Sequence, residues 1–99
     1  MIEHLVLIKP KAQASEQSIA TMIREIQGLK AKIPVIKELS AGLSLTDRHK
    51  GYTVGVRVLL ESPEHIDAYR FHQAHVAVLE DFIKPTMEDI VVVDYHHGE

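Results

Sequence analysis

Ile2-Glu3-His4-Leu5-Val6-Leu7-Ile8-Lys9 is the stretch that decides the fold. It is rich in branched apolar residues and is punctuated by Pro10, which is the composition of a β-strand. Alternate side chains of a strand point to opposite faces. Ile2, His4, Val6 and Ile8 therefore share one face, and Glu3, Leu5, Leu7 and Lys9 the other. Both faces are apolar in the middle, so this strand needs cover on both sides.

Outward from it, Pro10 to Ala14 reads as a connection and Ser15 as the cap of a helix. The Ser15 hydroxyl can accept from the unpaired amides of the first turn, and Glu16 suits the positive end of the dipole. Ile19, Met22, Ile23, Ile26 and then Leu29 or Ile33 recur at helical spacing as one apolar stripe. Pro34 disfavours helical geometry at Ile33 and ends the helix. Gly28 inside it suggests a close approach of another group. The unpaired carbonyls around Lys30 and Ile33 are candidates to hold a cation.

Val35 to Leu45 reads as a weaker strand with a bulge at Gly42, and Thr46 to Gly51 as a polar turn. Tyr52 to Leu60 is the clearest strand, with Tyr52, Val54, Val56, Val58 and Leu60 alternating with Thr53, Gly55, Arg57 and Leu59. The short connection between these two runs implies an antiparallel hairpin. Ser62-Pro63-Glu64 starts a second helix, with a hydroxyl cap, proline at the first position and an acid in the first turn. Ile66 and Tyr69 share its inner face. The pattern loses phase around His72 to Ala74, resumes as Val76, Leu79, Phe82 and Ile83, and stops at Lys84-Pro85. Asp89 to Tyr95 is the last strand, Ile90, Val92 and Asp94 alternating with Val91, Val93 and Tyr95.

The order strand, helix, strand, strand, helix, strand is that of an α+β, ferredoxin-like βαββαβ subunit, and residues 1–99 make a single domain of this kind. Right-handed crossovers put both helices on one face of a four-stranded antiparallel sheet. The other face still carries Leu5, Leu7, Val91 and Val93. Left in water it would be a contiguous apolar patch of the size that marks an interaction surface. The economical remedy is a second copy docked sheet to sheet, a homodimer through the open face, whose eight strands curl into a dimeric α/β barrel.

Composition narrows the function. With 45% hydrophobic residues and a net charge of -3, the chain suits a compact soluble protein and offers no basic field for nucleic acid or acidic lipid. The chain has no cysteine, so disulfides and thiolate metal sites are excluded. The apolar run at Met1 to Lys9 is too short for a signal core or a membrane span, and a cytoplasmic protein with neither nucleic-acid nor membrane partner is expected.

The chemistry-bearing stretch is Tyr69-Arg70-Phe71-His72-Gln73-Ala74-His75, with one phenol and two imidazoles at a helix break. In this topology the first and last strands are antiparallel neighbours, which brings His4 beside Asp94 and points His4 beneath the second helix, towards Tyr69 and His75. A carboxylate such as Asp94 accepts from one imidazole nitrogen and leaves the other basic. At the restart of a helix the dipole disfavours imidazolium, so His75 stays neutral and can act as general base, with Asp94 as its orienter. Tyr69 would donate to an oxygen that becomes an enolate. Such a set, catalytic Tyr69, His75 and Asp94 with His4 beside them, suits aldol cyclisation, isomerisation or lactone chemistry and needs no cofactor. His72, His75, His4 and Asp94 have the right types for metal ligands, but their spacing matches no metal motif and no metal is expected. Each residue also has a plainer role: Tyr69 as core, His75 as a lock on the helix junction, His72 as a solvated or dimer-contacting side chain, His4 as a buried strand residue.

The chain resembles the stress-responsive dimeric A/B barrel (Dabb) family. The features that carry the resemblance are the opening Ile2 to Lys9, the Lys32-Ile33-Pro34-Val35-Ile36 junction, Gly51-Tyr52, Tyr69-x-x-His72-x-x-His75 and the closing Asp94-Tyr95. The resemblance implies a homodimer of ferredoxin-like subunits. It also implies that some relatives are polyketide cyclases, with a tyrosine and a histidine where Tyr69 and His75 stand, and with His4, His72 and Asp94 at other polar pocket positions. The chain departs from the pattern at Gln73, where the family usually has proline, and at Val35, where it often has glycine. Val54 and Ile26 stand where such cyclases have a histidine and a tyrosine. The expected function is binding of a small apolar or carbonyl compound by a homodimer. The alternatives are a cofactor-free cyclase-like or isomerase-like enzyme using the Tyr/His pair, and a pure dimerisation module.

Overall fold

β1 (Ile2–Pro10) occupies the interior of the sheet, paired antiparallel on one side with β3 (Val54–Leu60) and on the other with β4 (Met87–His96). β2 (Ile36–Leu43) flanks β3, so the strand order is β2-β3-β1-β4 and β2 and β4 are the edges. These relations come from a computed structural model that describes residues 1–98. The fold is the ferredoxin-like α+β arrangement expected from the order of elements.

The covered face is the one bearing Ile2, Val6 and Ile8 of β1 and Val54, Val56, Val58 and Leu60 of β3, all buried. α1 (Glu16–Gln27) lays Met22, Ile23 and Ile26 on it, and the short α2 (Leu29–Lys32) adds Leu29. Burying side chains of this size stabilises the fold by roughly 1.5–3 kcal/mol each, so this layer is the core. Ser15 caps α1 as expected, its Oγ accepting from the Ser18 N–H at 3.0 Å. Gly28 does not mark a close approach. A Cβ there would meet only the Glu25 and Arg24 carbonyls, at 3.5 and 3.6 Å, and the residue divides α1 from α2. The Ile33 carbonyl accepts from the Ile36 N–H, so the junction uses one of the groups considered for a cation. Val35 sits there without a positive φ.

The strand ends differ from expectation in instructive ways. β1 includes Pro10, placed beside a register shift at Lys9/Pro10, where a residue with no N–H is tolerated. The bulge of β2 lies between Ile36 and Glu38 and not at Gly42, which pairs in register with Gly55. β3 begins at Val54, because the Tyr52 N–H is used in the preceding turn, donating to the His49 carbonyl, while the Tyr52 hydroxyl donates to Asp89. β4 begins at Met87 and runs to His96, and His97 continues to donate its N–H to the Met1 carbonyl.

The second helical region is four pieces: α3 (Glu64–Arg70), α4 (Gln73–Val78), a π-helical turn at Leu79–Ile83 and the single turn α5 (Lys84–Thr86). Ser62 does not cap α3 with its hydroxyl; its carbonyl accepts from the His65 N–H at 3.0 Å instead. Lys84-Pro85 does not stop the helix, because Pro85 falls at the start of a new turn, where its missing N–H leaves no bond unmade.

On the uncovered face, Leu5 and Leu7 of β1 stand opposite Val93 and Val91 of β4. Leu7, Val91 and Val93 are exposed. One end of this face is charged. Arg57 donates to both oxygens of Glu3 at 2.9 and 3.1 Å and to Glu38 at 2.8 Å, and His97 Nδ1 lies 2.6 Å from Glu3. Glu3 is only 4% exposed, so these partners satisfy a buried carboxylate.

Candidate functional site

Val6 and Val92 are direct partners on the covered side of the sheet, yet Val6 is 8% exposed and Val92 48%. The helical layer covers β1 and β3 and falls short of the edge strand β4. The gap is a cavity of about 590 Å³ between β1, β4 and the α3–α4 segment. Its inner wall is apolar, with Val6, Ile8, Ile26, Leu29, Val56 and Ile83. Phe71, Val76 and Val92, all exposed, line it as well. The polar side chains gather at one end: His4, Tyr69, His75 and Asp94, with Arg70 beside them.

The strand register sets the first pair. His4 is opposite Asp94 in the β1–β4 ladder, and His4 Nδ1 lies 2.6 Å from Asp94 Oδ1. The second pair is set by the helix break. α3 ends at Arg70, Phe71 follows, and α4 restarts at Gln73, which returns His75 towards Tyr69. The rings of Tyr69 and His75 have centroids 4.6 Å apart, tilted by 51°; those of Tyr69 and His4 are 5.2 Å apart, edge to face. The phenol thus lies between two imidazoles.

The expected orienter of His75 is corrected by this geometry. Asp94 holds His4, and His75 Nδ1–H donates to the Arg70 carbonyl at 2.9 Å. That carbonyl is left over at the end of α3, where the helix has no further turn to donate an N–H to it. A backbone carbonyl accepts only, so the neutral ring carries its proton on Nδ1 and Nε2 is the basic nitrogen. Burial is the main cause that holds the His75 pKa below the ordinary histidine value; the Arg70 carbonyl opposes it, and the charges of His4 and Arg70 act with burial. The direction is the one expected, with burial as its main cause in place of the helix dipole. Burial, followed by the Asp94 charge, pushes the Tyr69 hydroxyl up to about 12, so at neutral pH it is a proton donor. Among the described residues the hydroxyl has no hydrogen-bond partner.

His72 does not line the cavity. Its Nδ1 accepts from the Ala74 N–H at 3.0 Å, making it the cap of α4, and this is a correction of the expected pocket role. Gln73 is then the first residue of α4, a position that favours proline, so glutamine there preserves the same chain path. Ile26 lies on the cavity wall and Val54 behind it in the core, fully buried. Among the described residues no group of three or more His, Cys, Asp or Glu converges as a metal site would require. Arg70 is absent from the site expected from sequence, although it sits inside the stretch singled out there. Its carbonyl anchors His75, and the residue lines the cavity. The one available signal was its position next to Tyr69 at a helix end.

Comparison with known proteins places this geometry. The family model for the stress responsive A/B barrel domain matches residues 2–97. The chain is 31% identical over 96 residues to olivetolic acid cyclase of Cannabis sativa, covering 95% of this chain and 94% of the cyclase. It is 30% identical over 95 residues to a stress-response A/B barrel domain-containing protein of Arabidopsis thaliana, covering 96% of this chain but only 36% of that longer relative. Among solved structures, a dimeric ferredoxin-like protein from Thermobifida fusca superposes with a TM-score of 0.84 at 26% identity, covering 95% of this chain and 88% of that one. No helix of the described residues is long and apolar enough to cross a membrane.

Proposed function

The chain belongs to the stress-responsive A/B barrel domain family, and from that premise we propose that it binds a small carbonyl compound in the cavity beside β4 and works as a homodimer through its open sheet face. One observation carries the reading. An otherwise apolar cavity concentrates a neutral phenol, an imidazole of fixed tautomer and a carboxylate-held imidazole at one end. Pockets of this type bind by apolar contact and take their specificity from a few convergent polar groups. A carbonyl oxygen fits a phenol donor with no other bond to satisfy.

A second reading is favoured by the relation of His75 to Tyr69. A base with a free Nε2 next to a proton donor can remove a proton beside a carbonyl while the phenol donates to the oxygen that gains charge. His4, fixed by Asp94, would steady that charge from the other side of the phenol. The relative named olivetolic acid cyclase supports this enzymatic version, in which the reaction needs no cofactor.

The homodimer is supported by exposed Leu7, Val91 and Val93 on the open face and by the dimeric Thermobifida fusca neighbour. The Glu3–Arg57–Glu38 cluster at one end would set the register in which two copies meet. We place the protein in the cytoplasm, where a chain without cysteine forgoes no disulfide.

Transient kinetics with β-keto substrates tests the enzymatic version. His75→Ala should lose turnover while the variant stays folded, and unchanged turnover would remove His75 from the mechanism. Binding is tested separately by titrating the same compounds into the wild type and Ile26→Trp, which fills the apolar wall. Equal affinity in the two would place the ligand elsewhere.

A further inference from the structure

We infer that the Arg70 guanidinium reads a carboxylate on the ligand, so that the cavity selects oxo acids over neutral carbonyl compounds. The inference rests on the cavity being the ligand site. Three charged residues line that cavity besides its histidines: Asp94, Glu80 and Arg70. Asp94 is taken by His4 at 2.6 Å, and Glu80 by Lys84 at 2.6 Å. Arg70 has Asp67 at 3.9 Å, beyond hydrogen-bond reach, and the two side chains are 58% and 72% exposed. Its guanidinium is the lining charge without a close counter-ion among the described residues.

The guanidinium also has an aromatic neighbour. It lies 4.8 Å from the centroid of the Phe71 ring, a stacking that leaves the N–H edges of the fork available. Arg70 and Phe71 both line the cavity, and the Arg70 carbonyl holds His75 at its polar end. Its charge acts on His75, consistent with that placement. A planar fork of one positive charge matches a carboxylate, which it can hold by two parallel bonds. The ligand then has three parts: a carboxylate at Arg70, a carbonyl oxygen at Tyr69, and an apolar chain along the wall made by Ile8, Ile26 and Leu29.

Calorimetric titration with 2-oxooctanoate and with its methyl ester, at pH 7.5 and low salt, tests this on the intact protein. The acid should bind about tenfold more tightly than the ester, the scale of one charge-assisted hydrogen-bonded pair. Arg70→Gln should bring the two affinities together. It keeps the backbone carbonyl that anchors His75, and circular dichroism of the variant checks the fold. Raising the salt on the wild type should weaken the acid and leave the ester unchanged, a measurement that needs no variant. An ester that binds as well as the acid, or an acid preference that survives in Arg70→Gln, overturns the role of Arg70 and leaves the pocket reading standing. If neither compound binds, the pocket reading falls and the inference falls with it.

Discussion

Asp94 is bonded to His4, at 2.6 Å across ninety residues of chain, and not to His75. The ladder of β1 and β4 puts the two opposite each other, so the pair is a consequence of strand register. His75 meanwhile is oriented by a peptide carbonyl five residues behind it. The two imidazoles flanking Tyr69 are therefore controlled by different means, one by a side chain and one by the backbone.

Mutation can separate these two controls. Asp94→Asn should destabilise the fold by about 1–3 kcal/mol, the range for losing a charged partner from a part-buried hydrogen bond. It should leave His75 where it is. Chemical denaturation measures the first, and the His75 ring signals in an NMR spectrum report the second. A collapse of both would mean the two imidazoles are not independent.

Tyr69→Phe removes a hydroxyl that no described residue engages. Stability should change little, and turnover, if the enzymatic reading is right, should fall on the order of 100-fold. Because the hydroxyl is pushed up to about 12, the wild type should show no alkaline loss of activity assignable to Tyr69 below about pH 10. A large fall in melting temperature in Tyr69→Phe would show the hydroxyl to be structural.

His75 links stability to pH. Its folded pKa lies below the ordinary histidine value of 6.5, so the folded state binds fewer protons than the unfolded state in the window beneath that value. Stability should fall as pH drops from 7 through this window, and level off once the folded ring is itself protonated. His75→Gln should flatten the slope. Glu3 acts lower down. Arg57, its chief partner, keeps its carboxyl below 4.5, so its contribution is present above that pH and is lost as acid protonates the folded carboxylate. Denaturant midpoints between pH 7 and pH 5 in wild type and His75→Gln would isolate the histidine. Parallel curves would sink the assignment.

The open face makes its own prediction. Leu7→Glu with Val93→Glu places like charges where two copies would meet, and sedimentation should show a monomer where the wild type is a dimer. A wild type already monomeric at micromolar concentration contradicts the assembly outright.

Depth in the core should be visible as well. Leu60, with no exposed surface, should lose about 2–5 kcal/mol on change to Ala. Leu45, at 99% exposed, should change by less than about 0.5 kcal/mol.

The parts of the molecule that were legible in the sequence are those written in local periodicity. Alternation in Tyr52 to Leu60 and helical spacing from Ile19 to Ile26 named their elements and the faces they bury, because side-chain direction follows from backbone geometry within a few residues. The interruption at His72 was visible as lost phase, though its cause, a histidine serving as a cap, was not. The gap beside β4 was illegible, because Val92 reads like a buried strand residue and only the reach of the helical layer leaves it exposed.

By itself, the sequence determined the order of strands and helices, the side of the sheet they cover and the meeting of His4 with Asp94, which topology alone requires. Tertiary structure alone decided that a carbonyl and not a carboxylate orients His75, that His72 faces a helix end and that Arg70 faces a cavity. The division has a physical reason. Periodicity is set by bonds along the chain, whereas the partner of a polar group is chosen by whichever donor or acceptor the folded backbone brings within about 3 Å, and a helix ending one residue earlier or later changes that choice.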